Sequence, residues 1–585
     1  MTAILGINAF HADSAACLLI DGKLVGAVAE ERLGLREKHT SSFPDHAIRH
    51  LLADNGLRLS DISNVAIARD TSANRRAKMD WVLSNPVSGL KAAYEHMSRG
   101  KETNNMAHKL AGICDEDPSQ IKFELNNVEH HLSHVASAYY VSPFESLTAG
   151  FSYDASGDFV SAMAARCQGP SIDILDRIAL PNSLGFFYTA LCQFIGFDQF
   201  GEEYKVMGLA PYGKDRYSDV MKSLVHLPED GWFSLAKSYF GMHSGGKSGG
   251  LDAKGHIIMT RLYTDALKKI LGEPAARGAI SQREMDIARS TQVRFEEAAI
   301  HCLKRLHGLV PSNQLIMAGG CSLNGVANAR ILRETPFENH YIQAAASDDG
   351  TCLGAAFWVW HNTLKRKERF HMEHAFWGPE YTDSEHRLAA ESCGYTVEEF
   401  ADPKSLVPSV AKLVADGVVV GWYQGRSEWG PRALGNRSII ANPAIPNMKE
   451  IINEKIKRRE SFRPFAPSVL KEDVGTYFEQ AVDSPFMMHV VKVREEYRSR
   501  LPAITHVDGS ARLQSVSTEN NALYYHLIEQ VKKHTGLGVI LNTSFNENEP
   551  IVDTPQQAVA CFKRTDMDAL AIGRYLIKKP NRPNL

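Results

Sequence analysis

The chain has 585 residues, of which 44% are hydrophobic and 23% charged, with a formal net charge of −3. That length exceeds one simple core and predicts two to four domains, and the near-neutral balance excludes a bulk cationic surface for nucleic acid or an anionic membrane. The cysteines are scattered without a C-x-x-C pair, which excludes a disulfide framework and a thiolate zinc site.

The opening MTAILGINAF reads as a strand, with no basic segment leading into an apolar one. No run approaches the ~18 apolar residues of a membrane span. Together these predict a cytoplasmic protein. AILGINAF and SAACLLIDGKLVGAVAEE are predicted strands, with Asp21-Gly22 as a hairpin turn. His11 lies in the first turn, NAFHADSAA, either as a general base or as a turn histidine bonded to backbone. Lys38, in EERLGLREKH, is a candidate for substrate contact or a solvated lysine. A helix, PDHAIRHLLADNG, ends at Gly56, and the strand NVAIARD follows.

VEHHLSHVASAYY places His130 and His134 four apart, on one helix face, with His131 off that face. A zinc protease would need H-E-x-x-H, whereas the intervening residues are His131, Leu132 and Ser133. Two readings stand: a pair of metal ligands completed from distant sequence, or histidines satisfied in a core or on a surface. Asp154 in GFSYDASGD and Asp348 in AAASDDGTCLGAA lie at predicted strand ends and are the candidate further ligands. Two imidazoles with two carboxylates suit iron, manganese or zinc.

LTAGFSYDASGDFVSAMAAR repeats the opening arrangement, and QLIMAGGCSLNGVANARIL runs from a buried strand through two glycines into a helix. The pattern predicts a duplicated nucleotide-binding fold of the actin and sugar-kinase type. Gly319 and Gly320 would let the backbone approach a nucleotide, and the helix start would favour an anion. Lys205, in GEEYKVMGLAPYG, is a phosphate contact or a solvated lysine. HSGGKSGGLDAK, residues 243–254, is a glycine-rich loop inside this first domain, taken as 1–365.

Residues 366–385 are charged and aromatic and read as a link. Beyond it SLVPSVAKLVADGVVVGWYQG, a helix and a buried strand, begins a second α/β unit spanning 386–585. It carries Arg432 in WGPRALGNRSI, Lys457 and Arg463 in NEKIKRRESFRPFAP, Arg512 in HVDGSARLQSV and Asn542 in GVILNTSFNENEP. Arginine forks match phosphate oxygens bidentately, and a buried cluster of them without an anion would be costly. The set reads as a pocket for a small phosphorylated ligand, against surface ion-pair networks.

Taken together, HADSAACLLIDG, EERLGLREKH, HHLSHVASA, GEEYKVMGLAPYG, AGGCSLNGVAN, ASDDGTCLGAA, GPRALGNRSI, FRPFAP, HVDGSARLQSV and LNTSFN resemble the O-carbamoyltransferases of the NodU/CmcH/TobZ type over essentially the whole chain. The resemblance implies an N-terminal actin-like (ASKHA) domain, similar to the transferase that makes threonylcarbamoyladenosine on tRNA, followed by a YrdC-like α/β domain. It implies that the second domain makes carbamoyl-adenylate from carbamoyl phosphate and ATP, with magnesium. The first domain would then transfer the carbamoyl group to a hydroxyl of a small natural product or sugar. By motif, His130, His134, Asp154 and Asp348 match metal ligands, with Fe(II) as the implied ion. His11 matches the base and Lys38 a residue near the transfer site. His131, Lys205, Gly319, Gly320 and Asn324 match the side that holds nucleotide or carbamoyl-adenylate, and Arg432, Lys457, Arg463, Arg512 and Asn542 the carbamoyl phosphate and ATP pocket. The motif HADSA departs from the family, where His directly precedes Asp.

A tRNA-modifying enzyme of the same fold is disfavoured by the neutral charge. A non-enzymatic actin-like nucleotide-binding protein would have no use for the C-terminal arginines.

Overall fold

The computed structural model describes residues 1–9, 11–34, 36–84, 106–241, 258–460 and 462–580; the glycine-rich loop read at 243–254 lies outside them. The chain divides into two compact units, one of residues 1–34 and 39–372, the other of 35–38 and 373–585.

The first unit is built on two five-stranded sheets. Strands β1 (Ala3–Asn8), β2 (Ala15–Ile20), β3 (Lys23–Ala29), β4 (Asn64–Ile67) and β5 (Glu124–Asn127) form one sheet in the order β3-β2-β1-β4-β5. The first three are an antiparallel meander, and β4 and β5 run parallel to β1. Asp21 and Gly22 both take positive φ, 47° and 79°, as the tight hairpin turn between β2 and β3 requires. Leu5, Ile7, Leu18, Val65 and Ile67 pack against Ile48 and Leu51 of the helix Asp45–Asp54.

Strands β6 (Thr148–Gly157), β7 (Val160–Gln168) and β8 (Ser171–Ala179) form a second meander, followed by a small ribbon of β9 (Val225–His226) and β10 (Ser234–Leu235). Strands β11 (Gln314–Ala318) and β12 (Asn339–Tyr341) then add in parallel, giving the order β12-β11-β6-β7-β8. Each half therefore has one strand order and one pattern of strand sense, the duplication that the repeated sequence arrangement predicts. Each half also sends a buried helix out after its fifth strand, His130–Tyr139 from the first and Thr351–Trp358 from the second. These helices cross tightly: a Cβ on Gly354 would lie 1.8 Å from the Ser133 carbonyl oxygen. Only glycine permits that approach.

The second unit carries a nine-stranded mixed sheet, β13-β21-β20-β14-β15-β19-β16-β18-β17. Its strands are β13 (Thr396–Glu399), β14 (Val420–Tyr423), β15 (Arg437–Ala441), β16 (Ala466–Leu470), β17 (His489–Lys492), β18 (Ser510–Val516), β19 (Val539–Ser544), β20 (Ala569–Ile572) and β21 (Tyr575–Lys578). The helices Pro403–Ala415 and Thr518–Thr535 cover it, burying Leu406, Val410, Leu527 and Ile528 against Val420, Trp422 and Ile440.

Two boundaries differ from the sequence reading. The stretch expected as a link, 366–385, is divided at residue 372 between the units. Its second part is paired backbone: Trp429 N donates to Ala375 O (2.6 Å), Gly378 N to Ser427 O (3.0 Å) and Ser427 N to Pro379 O (2.9 Å). Residues 35–38 belong to the second unit, where Arg36 donates to the Pro550 carbonyl at 2.7 Å and to the Gln557 side chain. Among the described residues no helix is long and apolar enough to cross a membrane.

Candidate metal centre and arginine pocket

Every residue of the helix His130–Tyr139 is buried, with His130 at 1% exposure and His134 at 0%. Its first amide is not capped from within. His130 N donates instead to Asp158 Oδ2 (2.9 Å), which also accepts from Asp70 N (2.8 Å). The hairpin bearing Asp158 lies directly against the helix, since a Cβ on Gly157 would fall 2.0 Å from His130 Cδ2.

The second half supplies the acids. Asp154, on β6, accepts from Ala155 N at Oδ1 (2.6 Å) and from Gly320 N at Oδ2 (2.8 Å). Asp348 stands just ahead of the helix Thr351–Trp358, and its carbonyl accepts from Thr351 Oγ1 (2.6 Å). One donor atom from each of His130, His134, Asp154 and Asp348 lies within 4.8 Å of all the others. Asp349 is not part of this group; its Oδ1 accepts from Gly350 N (3.0 Å).

The contacts within the group are not those of a hydrogen-bonded core. His134 Nε2 lies 3.2 Å from both Asp154 Oδ2 and Asp348 Oδ1, and His130 Nε2 lies 3.3 Å from Asp348 Oδ1. Yet both ring nitrogens of His130 and His134, together with Asp348 Oδ1, lack a hydrogen-bond partner among the described residues. Buried polar atoms left this way are costly. Metal–nitrogen and metal–oxygen bonds of about 2.1 Å set neighbouring donors roughly 3.0–3.4 Å apart, and the three pairs above have that spacing. The four residues thus fit a divalent ion by donor type, spacing and orphaned atoms. Burial by itself would lower His134, but the Asp154 and Asp348 carboxylates outweigh it and push the imidazole up to about 9. Burial would raise Asp348, but His130, His11 and His134 hold it well below the usual carboxylate range.

His11 meets this centre on its open side. Its Nδ1 is 3.0 Å from Asp348 Oδ2, with side-chain exposures of 28% for His11 and 19% for Asp348. A carboxylate accepting from Nδ1–H fixes the tautomer and leaves Nε2 with the lone pair.

The other residues singled out from sequence are not among the four donors. His131 is fully buried, with Nδ1 2.9 Å from Ser152 Oγ, and burial followed by its two histidine neighbours holds it well below 6.5. Lys205 is buried in an ion pair with Glu202 (2.7 Å), which Arg277 also grips. Gly319 takes φ 92° and donates to the Ala346 carbonyl (2.7 Å), while Gly320 holds Asp154 as described. Asn324 caps the helix Gly325–Glu334 through Ala327 N (3.1 Å) and exchanges amide bonds with Gln292. Lys38 lies in the segment that packs with the second unit, and its charge acts there on Lys457.

In the second unit the basic residues do converge. Burial lowers Arg512 well below the ordinary guanidinium range, and the charges of Arg432, Arg463 and Arg459 add to the effect. Burial brings Arg432 down to about 10. Beside them Asn542 Nδ2 donates to Ala433 O (3.1 Å), Ser468 Oγ (3.0 Å) and Gln514 Oε1 (3.1 Å), while its Oδ1 is buried without a partner among the described residues. Lys457 is already engaged, donating to Asn546 Oδ1 (2.6 Å) and O (2.9 Å) and to Ser544 Oγ (3.1 Å).

Sequence reasoning missed the carboxylates that shape these sites through backbone. Asp158 is one. Glu428 is another: its Oε1 accepts from the amides of Leu434, Asn436 and Arg437 at 2.9, 2.9 and 3.0 Å, folding the loop that carries Arg432. A charged hydrogen bond contributes about 1.5–3 kcal/mol. Glu428→Ala is therefore expected to lower stability in urea unfolding by at least that amount. The only sequence signal was an acidic residue amid Gly, Pro and Asn in SEWGPRALGN.

Comparison with known proteins follows this division. A model described as carbamoyltransferase N-terminus matches residues 3–357, and one described as carbamoyltransferase C-terminus matches 411–579. The chain is 38% identical to the uncharacterized protein sll1178 of Synechocystis sp., covering 100% of this chain and 98% of that one. It is 37% identical to the nodulation protein NolNO of Sinorhizobium fredii, covering 98% of this chain and 80% of that one. Among solved structures HypF of T. kodakarensis is similar at 14% identity, covering 63% of this chain and 49% of that one, with a TM-score of 0.31. With two family models spanning both units and full-length relatives at this identity, the chain belongs to the carbamoyltransferase family.

Proposed function

We propose that the protein is an ATP-dependent O-carbamoyltransferase, its second unit a YrdC-like domain making carbamoyl-adenylate and its first an actin-like domain passing the carbamoyl group to an alcohol. The observation that carries the reading is the pairing of His11 with Asp348. One carboxylate offers Oδ1 to the four-donor centre and Oδ2 to the candidate base.

A divalent ion held by His130, His134, Asp154 and Asp348, for which Fe(II) suits the donor set, would supply Lewis acidity toward the carbamoyl carbonyl or a phosphate oxygen. His11 Nε2 takes the proton of the acceptor hydroxyl, with Asp348 Oδ2 steadying the imidazolium that forms. The acceptor oxygen bonds to the carbamoyl carbon as the bond from that carbon to the adenylate oxygen breaks, and AMP leaves.

On the donor side, Arg432, Arg463 and Arg512 present like charges that a phosphate would neutralise. The unpartnered Oδ1 of Asn542 matches the amino group of carbamoyl phosphate, a donor that inorganic phosphate lacks. Lys457 shapes this pocket from beneath by fixing the loop at Ser544 and Asn546. Magnesium-bound ATP is the cosubstrate. Lys38, His131, Lys205, Gly319, Gly320 and Asn324 are assigned supporting roles around the bound donors.

The test is release of AMP and pyrophosphate from ATP in the presence and absence of carbamoyl phosphate, with mass detection of a carbamoylated alcohol. ATP turnover indifferent to carbamoyl phosphate would sink the reading.

A further inference from the structure

The hairpin that braces His130 has an unusual tip. Gly157 pairs with Val160, so β6 and β7 are joined by two residues, Asp158 and Phe159. Their φ angles are 48° and 74°. Two-residue loops with both φ positive favour Asn-Gly or Asp-Gly. Asp158 conforms, but Phe159 holds a bulky aromatic where glycine would be unstrained.

Backbone strain of this kind gathers where surrounding structure enforces it for a purpose. The surroundings are specific. The Phe159 ring packs edge-on to Trp81, with centroids 6.0 Å apart at 69°, and both side chains are half-buried. Trp81 lies on the helix Arg75–Ser84. Asn74, just ahead of that helix, donates to the Asp158 carbonyl (3.0 Å) and to Glu129 Oε1 (2.8 Å). Arg177 clamps the same Glu129 at 2.8 and 2.9 Å. The aromatic pair is thereby tied to the start of the helix that carries His130 and His134. Phe159 follows by two residues, about 7 Å of chain, the glycine whose backbone touches the His130 ring.

We propose that Phe159 and Trp81 form the acceptor-side wall of the transfer site. Aromatic rings offer a large apolar surface whose negative face attracts the polarised C–H edge of a ligand. Such a wall would favour an alcohol whose hydroxyl is borne on or beside a ring over an acyclic polyol. This deepens the proposed O-carbamoyltransferase reading and rests on it.

Phe159→Gly is the informative variant because it relaxes the turn. Its thermal unfolding midpoint is expected to be unchanged or raised. The KM for methyl β-D-glucoside as acceptor should rise about tenfold or more, with the KM for glycerol unmoved and Phe159→Tyr close to the parent. Saturation-transfer NMR gives a readout independent of turnover: ring protons of methyl β-D-glucoside should receive saturation from the unsubstituted protein and much less from Phe159→Gly. A lowered midpoint with unchanged KM would show that the ring merely packs the hairpin, and equal or absent saturation transfer in both proteins would overturn the wall. If the unsubstituted protein releases no carbamoyl phosphate-dependent AMP, the transferase reading falls, and the NMR comparison still decides whether the wall binds a ring.

Discussion

His134→Ala, and separately His130→Ala, is expected to abolish carbamoyl transfer to the alcohol, and with it AMP release, while carbamoyl phosphate-dependent formation of pyrophosphate and carbamoyl-adenylate continues. Loss of a group that merely supports a ligand costs roughly 10–100-fold in metal affinity or activity, so removal of a donor from a four-donor set should exceed that. Metal content by mass spectrometry should fall in parallel. Each imidazole is buried, with both ring nitrogens lacking a hydrogen-bond partner among the described residues, so its replacement removes orphaned polar atoms along with the donor. The variants should consequently fold. If both half-reactions disappeared together in a folded variant, the division of labour between the two units would be wrong.

Arg512→Ala should do the reverse. Carbamoyl phosphate-dependent AMP release is expected to fall by about 100-fold or more, since two charged hydrogen bonds at about 1.5–3 kcal/mol each are at stake. Metal content should stay unchanged. The effect on stability should be contrary to that of most buried substitutions. Burial and the neighbouring Arg432, Arg463 and Arg459 already disfavour the Arg512 charge, so its removal relieves repulsion, and the unfolding midpoint should hold or rise. Phosphate should stabilise the unsubstituted protein more than the variant, because a ligand that binds only the folded state adds to its stability. Arg512→Lys is not expected to restore activity, for an ammonium cannot reproduce the bidentate fork. A clear loss of stability in Arg512→Ala would instead mark it as a structural cation.

Legibility in the sequence followed contiguity. The Asp21-Gly22 hairpin, the repeated strand arrangement and the His130–His134 spacing were readable because each is local. Asp154 and Asp348 were readable because each follows an apolar run in a short stretch of small and acidic residues. Asp158 and Glu428 were not, because their partners are backbone amides and a backbone amide leaves no complementary letter. The partners that the fold gives Lys205 and Asn324, Glu202 for one and a helix start for the other, left no local signal either. The excursion of residues 35–38 into the second unit had no signal at all, since nothing in EERLGLREKH distinguishes a loop that stays from one that leaves.

The two halves of the first unit share one strand order but contribute opposite chemistry to the centre. The first gives both imidazoles and the second both carboxylates, so neither half can complete the set alone. An ion there would act as a rivet across an internal seam, and its binding free energy would be forfeited when either half opens. At a thousandfold excess over its Kd such an ion adds about 4 kcal/mol to folding. Calorimetry of the metal-loaded protein should accordingly show the first unit melting cooperatively, and a chelator should lower that transition and broaden it as the halves come apart on their own terms. A chelator without effect on the melting profile would leave the seam held by packing alone, with Gly354 against Ser133 one of its close approaches.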